Sequence, residues 1–459
     1  MGRRSEQAPG AARGGSTSPP RAALLSGSLA GTIGRVGLPA VASSLLMTLF
    51  ASADAHWVGT RVGAAGLAAV STSLFWIWML VSVAEMVSVG LTAVAARRHG
   101  EGRGEEAARV AGEALVYAVV LGLVFAALGT LFLAPLSAVM RTPPPVAALA
   151  RDYLGTYLLG MPLIYGYFVV DAAFRASGDT RTPLALLASS VAVTLVLDPL
   201  FIAGAGPIPA LGVRGAAAAT LLTRGVVCLA GAAVLARRGL LRFGPVRWRS
   251  LATLSRIGLP AALTGVLFSV VYVAITPVTA RFGTPALAAL GVGHRVESWL
   301  YMIGVGFGAA AAAIVGQNLG AGDAARAERA GWITTGYAML PSLGFALLSL
   351  VVPEHLAALF TSDPAVIADA GRYLRIASLG QLVVCAEVVL EASLGGAGDT
   401  VPVMLTSTTL TAARVPLGAW AATHYGLDGL WWTITLTAAA RAVAIAALWR
   451  AGRWKRRRV

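Results

Sequence analysis

Arg35-Val36-Gly37-Leu38-Pro39-Ala40 returns about 220 residues later as Arg256-Ile257-Gly258-Leu259-Pro260-Ala261. Ser177-Gly178-Asp179-Thr180 returns as Ala397-Gly398-Asp399-Thr400. Asp152-Tyr153-Leu154 with Gly160 returns as Arg372-Tyr373-Leu374 with Gly380. Because these landmarks keep their order and spacing, the chain reads as two copies of one unit. Between them it is almost continuously apolar. Two hydrophobic repeats in register are the pattern expected where two helical bundles move against each other around a central site, as in alternating-access transport.

Composition sets the solvent. The 459 residues are 57% hydrophobic and 12% charged, with a mean hydropathy of +0.74. Soluble domains carry about 25% charged residues, so this chain cannot cover itself with a water-compatible surface, and lipid must surround it. The net charge of +15 does not point to nucleic acid, because the basic residues cluster between apolar runs. Arg97, Arg98, Arg103 and Arg109, then Arg175 and Arg181, then Arg237, Arg238, Arg242, Arg247 and Arg249, then Arg326 and Arg329 mark alternate connectors. Arg453 to Arg458 close the chain, and the other connectors hold single arginines such as Arg61, Arg141, Arg214 and Arg281. By the positive-inside rule, both termini and the central connector are cytoplasmic, in a multi-pass protein of the plasma (inner) membrane. Residues 1–25 are rich in Arg, Ser, Pro and Gly, lack a signal-peptide core and read as a disordered cytoplasmic tail. Cys228 and Cys385 lie in apolar segments of different halves and read as packing residues.

A span needs roughly 20 apolar residues. Twelve segments qualify: 32–60, 64–96, 107–133, 148–176, 181–203 and 215–237, then 254–282, 286–316, 325–352, 365–396, 400–423 and 428–450. The organisation expected is a first unit over 26–238, a cytoplasmic linker over 239–253, a second unit over 254–450 and a basic tail over 451–459. Several spans exceed the minimum, so tilting or bending is expected. Asp179 and Asp399 precede Pro183 and Pro402 at helix starts, where an aspartate caps free amides and proline fits. Trp57, Trp248, Trp431, Trp432, Trp449 and Trp454 lie near span ends and read as interfacial anchors. Trp76, Trp78 and Trp299 lie deeper, as ordinary packing or as walls of an aromatic cavity.

An ionisable group inside a span is costly unless paired or wet, so each is a candidate for function. Asp54 lies in the first span and Asp198 in the fifth, both entered from the cytoplasm, which sets the two carboxylates at matching depth in the outer half. Thr194 is one turn below Asp198, and Thr220 lies ~9 Å down the sixth span from the other side. These four could converge in one hydrated pocket. Two carboxylates in a poorly solvated site cannot both stay ionised cheaply, so one can carry a proton near neutral pH. The same oxygens could hold Na⁺. The alternative is that each aspartate pairs locally. The second half has no such pair: Val415 stands near where Asp198 would repeat. It offers His294, Arg295 and Glu297, where the two bases can neutralise the acid. It also offers Glu387 and Glu391 on one helix face, solvated, arginine-paired or cation-binding. Glu85 reads as structural. Pro39, Pro162, Pro260 and Pro341 fall within or at the edge of spans, where prolines commonly bend helices.

At this point the residues resemble a known family. Ala53-Asp54-Ala55-His56-Trp57-Val58-Gly59, followed by Gly66-Leu67-Ala68-Ala69, is similar to the first-span signature of the multidrug and toxic compound extrusion (MATE) transporters. Val315-Gly316-Gln317-Asn318-Leu319-Gly320-Ala321-Gly322, the two Gly-Asp-Thr connectors, Leu197-Asp198-Pro199-Leu200 and Gly429-Leu430-Trp431 also match, and the acid-free seventh span resembles the DinF-like branch. The resemblance implies an all-α integral membrane protein with twelve transmembrane helices in two pseudo-symmetric six-helix lobes around a V-shaped central cavity. It implies efflux of amphipathic, often cationic drugs or toxins by a protein that works as a monomer in the bilayer, without a cofactor, against inward H⁺ or Na⁺. By motif match, Asp54 and Asp198 take the cation-coupling role, joined by Thr194 and Thr220, and Pro39 the helix-bending role. Thr194 stands where many members have Asn, which favours H⁺. Broad recognition would rest on cavity side chains, among which Trp76, Met79, Phe268, Tyr272, Glu297, Trp299, Met302, Glu387 and Glu391 are candidates.

Three other readings were weighed. A flippase for lipid-linked oligosaccharides would need a cationic cavity, and few central arginines stand out. A membrane enzyme would need clustered catalytic or metal-binding residues, and the five histidines and two cysteines show no such spacing. A selective channel would not need a duplicated, rocking architecture.

Overall fold

The computed structural model describes residues 22–139, 143–204, 206–207, 209–457 and 459. The tail over residues 1–21, Arg141 and Arg458 lie outside the described residues. Those described are helices and connectors with no strand. The first lobe contains α2 (Leu29–Arg61), α3 (Ala64–Gly100), α4 (Gly104–Leu131), the short α5 (Leu133–Val139), α6 (Pro144–Leu159), α7 (Met161–Ser177), α8 (Arg181–Ala203) and α9 (Val213–Arg237). Ahead of it stands α1 (Ala22–Leu25). The second lobe contains α10 (Trp248–Ala280), α11 (Thr284–Gly320), α12 (Ala324–Val351), the short α13 (Pro353–Ala358), α14 (Pro364–Gly396) and α15 (Thr400–Ala451).

Among the described residues ten helices are long and apolar enough to cross a bilayer, and α6 with α7, bent by 55°, supplies an eleventh. The segment expected as one span over 148–176 is thus a broken one, with Gly160 at the break and Pro162 in the first turn of α7. The 52-residue α15 is two helices, parted at Gly426, whose φ of 66° is readily adopted by glycine. Twelve spans result.

Toward one end the lobes meet through close backbone approaches. Gly258 abuts the Met86 carbonyl, Gly90 the Leu254 carbonyl, Gly100 the Gln317 carbonyl, and Gly306 the backbone of Val41. The first three pairs lie toward the start of α10 and the ends of α3 and α11, the arginine-rich side, and Gly306 with Val41 lies nearer the middle of α11 and α2. Further along the same helices, Phe268 and Tyr301 remain exposed.

Both ends of the described chain cross between lobes on that side. Leu24 is buried against Gly178 of the first lobe, while its carbonyl accepts from Asn318 of the second at 3.4 Å. The Arg457 carbonyl accepts from Arg97, and the Arg457 guanidinium donates to Asp399 at 2.8 Å. Two expectations change here. Residues 22–25 are helical and docked, not part of a disordered tail. Asp399 makes no side-chain cap bond and serves Arg457 instead. Asp179 does cap α8, accepting from the amides of Arg181 and Thr182 at 3.0 Å each. Burial pushes its carboxyl up, but the bonds from Thr182 and from Arg238 outweigh this and hold it below the usual carboxylate range.

The tryptophan reading also needs correction. Trp248 is 80% exposed and Trp432 is exposed, as anchors should be, but Trp431, Trp449 and Trp454 are fully buried. Trp431 packs edge-on to Tyr373, and Trp449 stacks on Trp454 with centroids 4.0 Å apart. Position along a helix gives depth in the bilayer. It does not give the direction in which a ring points.

Candidate functional site

The first-lobe site is built where α8 packs between α2 and α9. Asp54 on α2 and Asp198 on α8 are both buried, and they lie near enough for their charges to interact. Neither Asp198 oxygen nor Asp54 Oδ1 has a hydrogen-bond partner among the described residues. One turn down α8, the Thr194 hydroxyl donates to the Thr223 hydroxyl on α9 at 2.8 Å. Thr220, one turn from Thr223, is buried, and its backbone carbonyl accepts from Thr223 at 3.2 Å. The acids therefore come together, while the hydroxyls bond to each other and to backbone.

Tyr153 and Tyr157 on α6 lie near the acid pair. Their rings stack with centroids 6.3 Å apart, and both lie within reach of the Asp54 charge. Three orphaned carboxylate oxygens with nearby hydroxyls form a hard-oxygen donor set, suited to a proton or a small hard cation such as Na⁺. Among the described residues no group of three or more His, Cys, Asp or Glu could hold a metal ion. Pro39 lies in the continuous α2, whose serines and threonines bond back to carbonyls one turn earlier, Ser43 to Pro39 at 3.0 Å and Ser44 to Ala40 at 3.2 Å. Such back-bonding commonly accompanies a bend.

The second lobe holds a different network. Tyr373 donates to Glu297 at 2.9 Å, and His294 stands 3.5 Å from the same carboxylate. Arg295 makes no ion pair with Glu297, so tyrosine takes the place expected for arginine. Tyr272 packs edge-on to His294 at 4.2 Å. Phe268, Tyr272, His294, Thr411 and Arg414 line a small cavity. Glu387 is buried in an ion pair with Arg441, which also donates to Thr411 at 2.8 Å. Glu391 lies within range of both charges.

Of the cavity candidates, Phe268 and Tyr272 come together at 5.9 Å. Trp76 packs against the first-lobe core, the ordinary-packing alternative. Met79, Trp299 and Met302 are half-buried.

Residues that the sequence reading passed over carry much of this chemistry: Tyr153, Thr223, Arg224, Arg414 and Arg441. The signal was present. Three arginines fall inside apolar spans, where the cost argument applied to the acids holds equally. Tyr153 and Tyr373 are also the same residue of the repeat, and each sits beside the acid of its lobe.

A twelve-helix duplicated bundle with a pair of buried, unpartnered carboxylates in its first lobe has the build of a membrane transporter. The MatE family profile matches residues 39–200 and again 260–420, once per repeat. A Thermotoga maritima protein named probable multidrug resistance protein NorM is 28% identical over 451 residues, 93% of each chain. A Shewanella oneidensis protein named FAD transporter is 31% identical over 358 residues, 74% of this chain and 77% of its own. A solved outward-facing multidrug resistance MATE family transporter superposes with a TM-score of 0.88 at 24% identity, over 95% of this chain and 98% of that one. The protein belongs to the MATE family of multi-pass membrane transporters.

Proposed function

We propose that the protein is a secondary active antiporter of the cell membrane. It extrudes amphipathic, often cationic organic compounds in exchange for inward H⁺, with Na⁺ as the alternative coupling ion. The observation that carries this reading is the pair Asp54 and Asp198, buried together with three carboxylate oxygens left without partners. A buried acceptor without a donor is expensive, and a captured cation removes that cost. The hydroxyl of Thr194, where an amide would favour Na⁺, supports H⁺.

The arginine-rich end is taken as cytoplasmic. Contact between lobes at that end then corresponds to the outward-open state. From that state the acid pair takes up a proton, and its neutralisation lowers the cost of rearranging the first lobe. Cargo leaves outward, the lobes rock, and the proton is released inside. Each ligand drives the cycle only through unequal affinity for the two states. The names of relatives, multidrug resistance for one and FAD for another, support organic cargo. One chain forms the whole site, in keeping with function as a monomer.

The test is gradient-driven efflux in everted vesicles by wild type, Asp54→Asn and Asp198→Asn. Both variants are expected to lose coupled transport. Full transport by both would remove the acid pair from the mechanism. In proteoliposomes with separately imposed gradients, drive by Na⁺ alone would reassign the ion.

A further inference from the structure

Arg224 lies eleven residues into α9, ~16 Å from its start and so near mid-bilayer. It is only 7% exposed, and among the described residues it forms no ion pair with a carboxylate. Its guanidinium lies over the rings of Tyr167 at 4.8 Å and Phe50 at 5.5 Å, and one amino group contacts the Met47 sulfur at 2.8 Å. The other, Nη1, is buried without any hydrogen-bond partner. Asp171 is within range of its charge but is held by Arg175, one turn along α7.

A buried cation that lacks a carboxylate is costly. Aromatic faces offset part of that cost, yet they leave the Nη1 protons unused. Phe50 and Met47 lie one and two turns from Asp54 on the same face of α2. The guanidinium is therefore stacked inward of the acid pair, along the same side of the first lobe. Its fork matches a carboxylate or phosphoryl group, and its ring neighbours match a planar π-system.

We propose that Arg224, with Tyr167 and Phe50, forms a subsite for planar aromatic cargo that carries an anionic group. This rests on the transport reading above and narrows the substrate class to include aromatic acids and zwitterions. Free cations would gain nothing from Arg224.

The experiment compares rhodamine B, which has a free carboxylate, with its methyl ester, which has the same rings and none. Binding to the purified full chain is read by fluorescence polarisation, for wild type, Arg224→Gln and Arg224→Lys. Wild type is expected to prefer the acid by about 10- to 100-fold, the range of a charge-assisted bidentate bond. Arg224→Gln should abolish that preference by weakening the acid alone, and Arg224→Lys should keep part of it. No acid preference in wild type overturns the proposal, whatever the variants do. Equal weakening of both probes in Arg224→Gln overturns it too, as the mark of a structural arginine. Ester transport driven by a proton gradient reports separately on antiport, so the two readings can fail independently.

Discussion

The Thr400 hydroxyl donates to the Ile257 carbonyl at 2.7 Å, and the Thr180 hydroxyl donates to the Val36 carbonyl at 2.8 Å. These are the same bond in the two lobes. It joins the Gly-Asp-Thr connector to the Arg-Val/Ile-Gly-Leu-Pro segment, so the two repeated motifs touch each other. Each acceptor neighbours the carbonyl that the following proline leaves without an amide, Arg35 for Pro39 and Arg256 for Pro260. Thr180→Val and Thr400→Val should each cost about 1 kcal/mol, the usual net worth of such a bond. Because the sites share no partner, the double variant should show the sum. Thermal unfolding in detergent measures this, and a double variant no worse than either single one would mean the bonds are coupled.

Gly258 and Gly37 are the same residue of the repeat, and both sit where the lobes meet. Gly258 faces the Met86 carbonyl, which is backbone and cannot yield, whereas Gly37 faces the Phe307 ring at 3.1 Å. Gly258→Ala should therefore hold the arginine-rich end apart, while Gly37→Ala is absorbed by a small ring shift. A cysteine placed at Ala96, with Cys228 and Cys385 replaced by alanine, reports opening through its maleimide labelling rate. Faster labelling is expected for Gly258→Ala only.

Glu387 and Arg441 are a buried pair inside the second lobe. Glu387→Gln removes the direct partner of the guanidinium and leaves only Glu391 in range, so it should cost up to about 3–5 kcal/mol. Replacing both by leucine should recover most of that loss, because two desolvated charges disappear together. Denaturation of the three variants separates the cases, and a single variant as stable as wild type would mean that Arg441 finds another partner.

Asp179 gives a pH dependence. Its carboxyl is held below the usual range in the folded protein. Its contribution is thus present above the unfolded value of 3.8 and fades as pH falls through the lower, folded one. Asp179→Ala should lose about 1 kcal/mol of capping at pH 7. Thermal midpoints of wild type and variant should converge below about pH 4. A gap that stays constant to lower pH would assign the effect to helix propensity.

Much of the candidate site was legible because depth follows from counting. Asp54 and Asp198, placed at one level by residue rise, are both buried and lie within range of each other's charge. What they meet was not legible. The Thr194 hydroxyl bonds to Thr223, which the sequence did not single out, because facing residues on neighbouring helices depend on rotation and crossing angle. Glu387 and Glu391 share a helix face by their spacing, yet Arg441, the partner of Glu387, comes from 54 positions further along the chain.

The sequence alone determined the duplication, the twelve spans and the arginine asymmetry, because apolar length, repeat and charge order are properties of a line. The tertiary structure decided the sideways questions: that Trp431, Trp449 and Trp454 face inward, that the lobes approach at the arginine-rich end, and that Arg224 forms no ion pair with a carboxylate among the described residues. In lipid, most helix faces are apolar whether they meet acyl chains or another helix. The pattern that would fix a helix's rotation in water is therefore weak, and packing has to fix it.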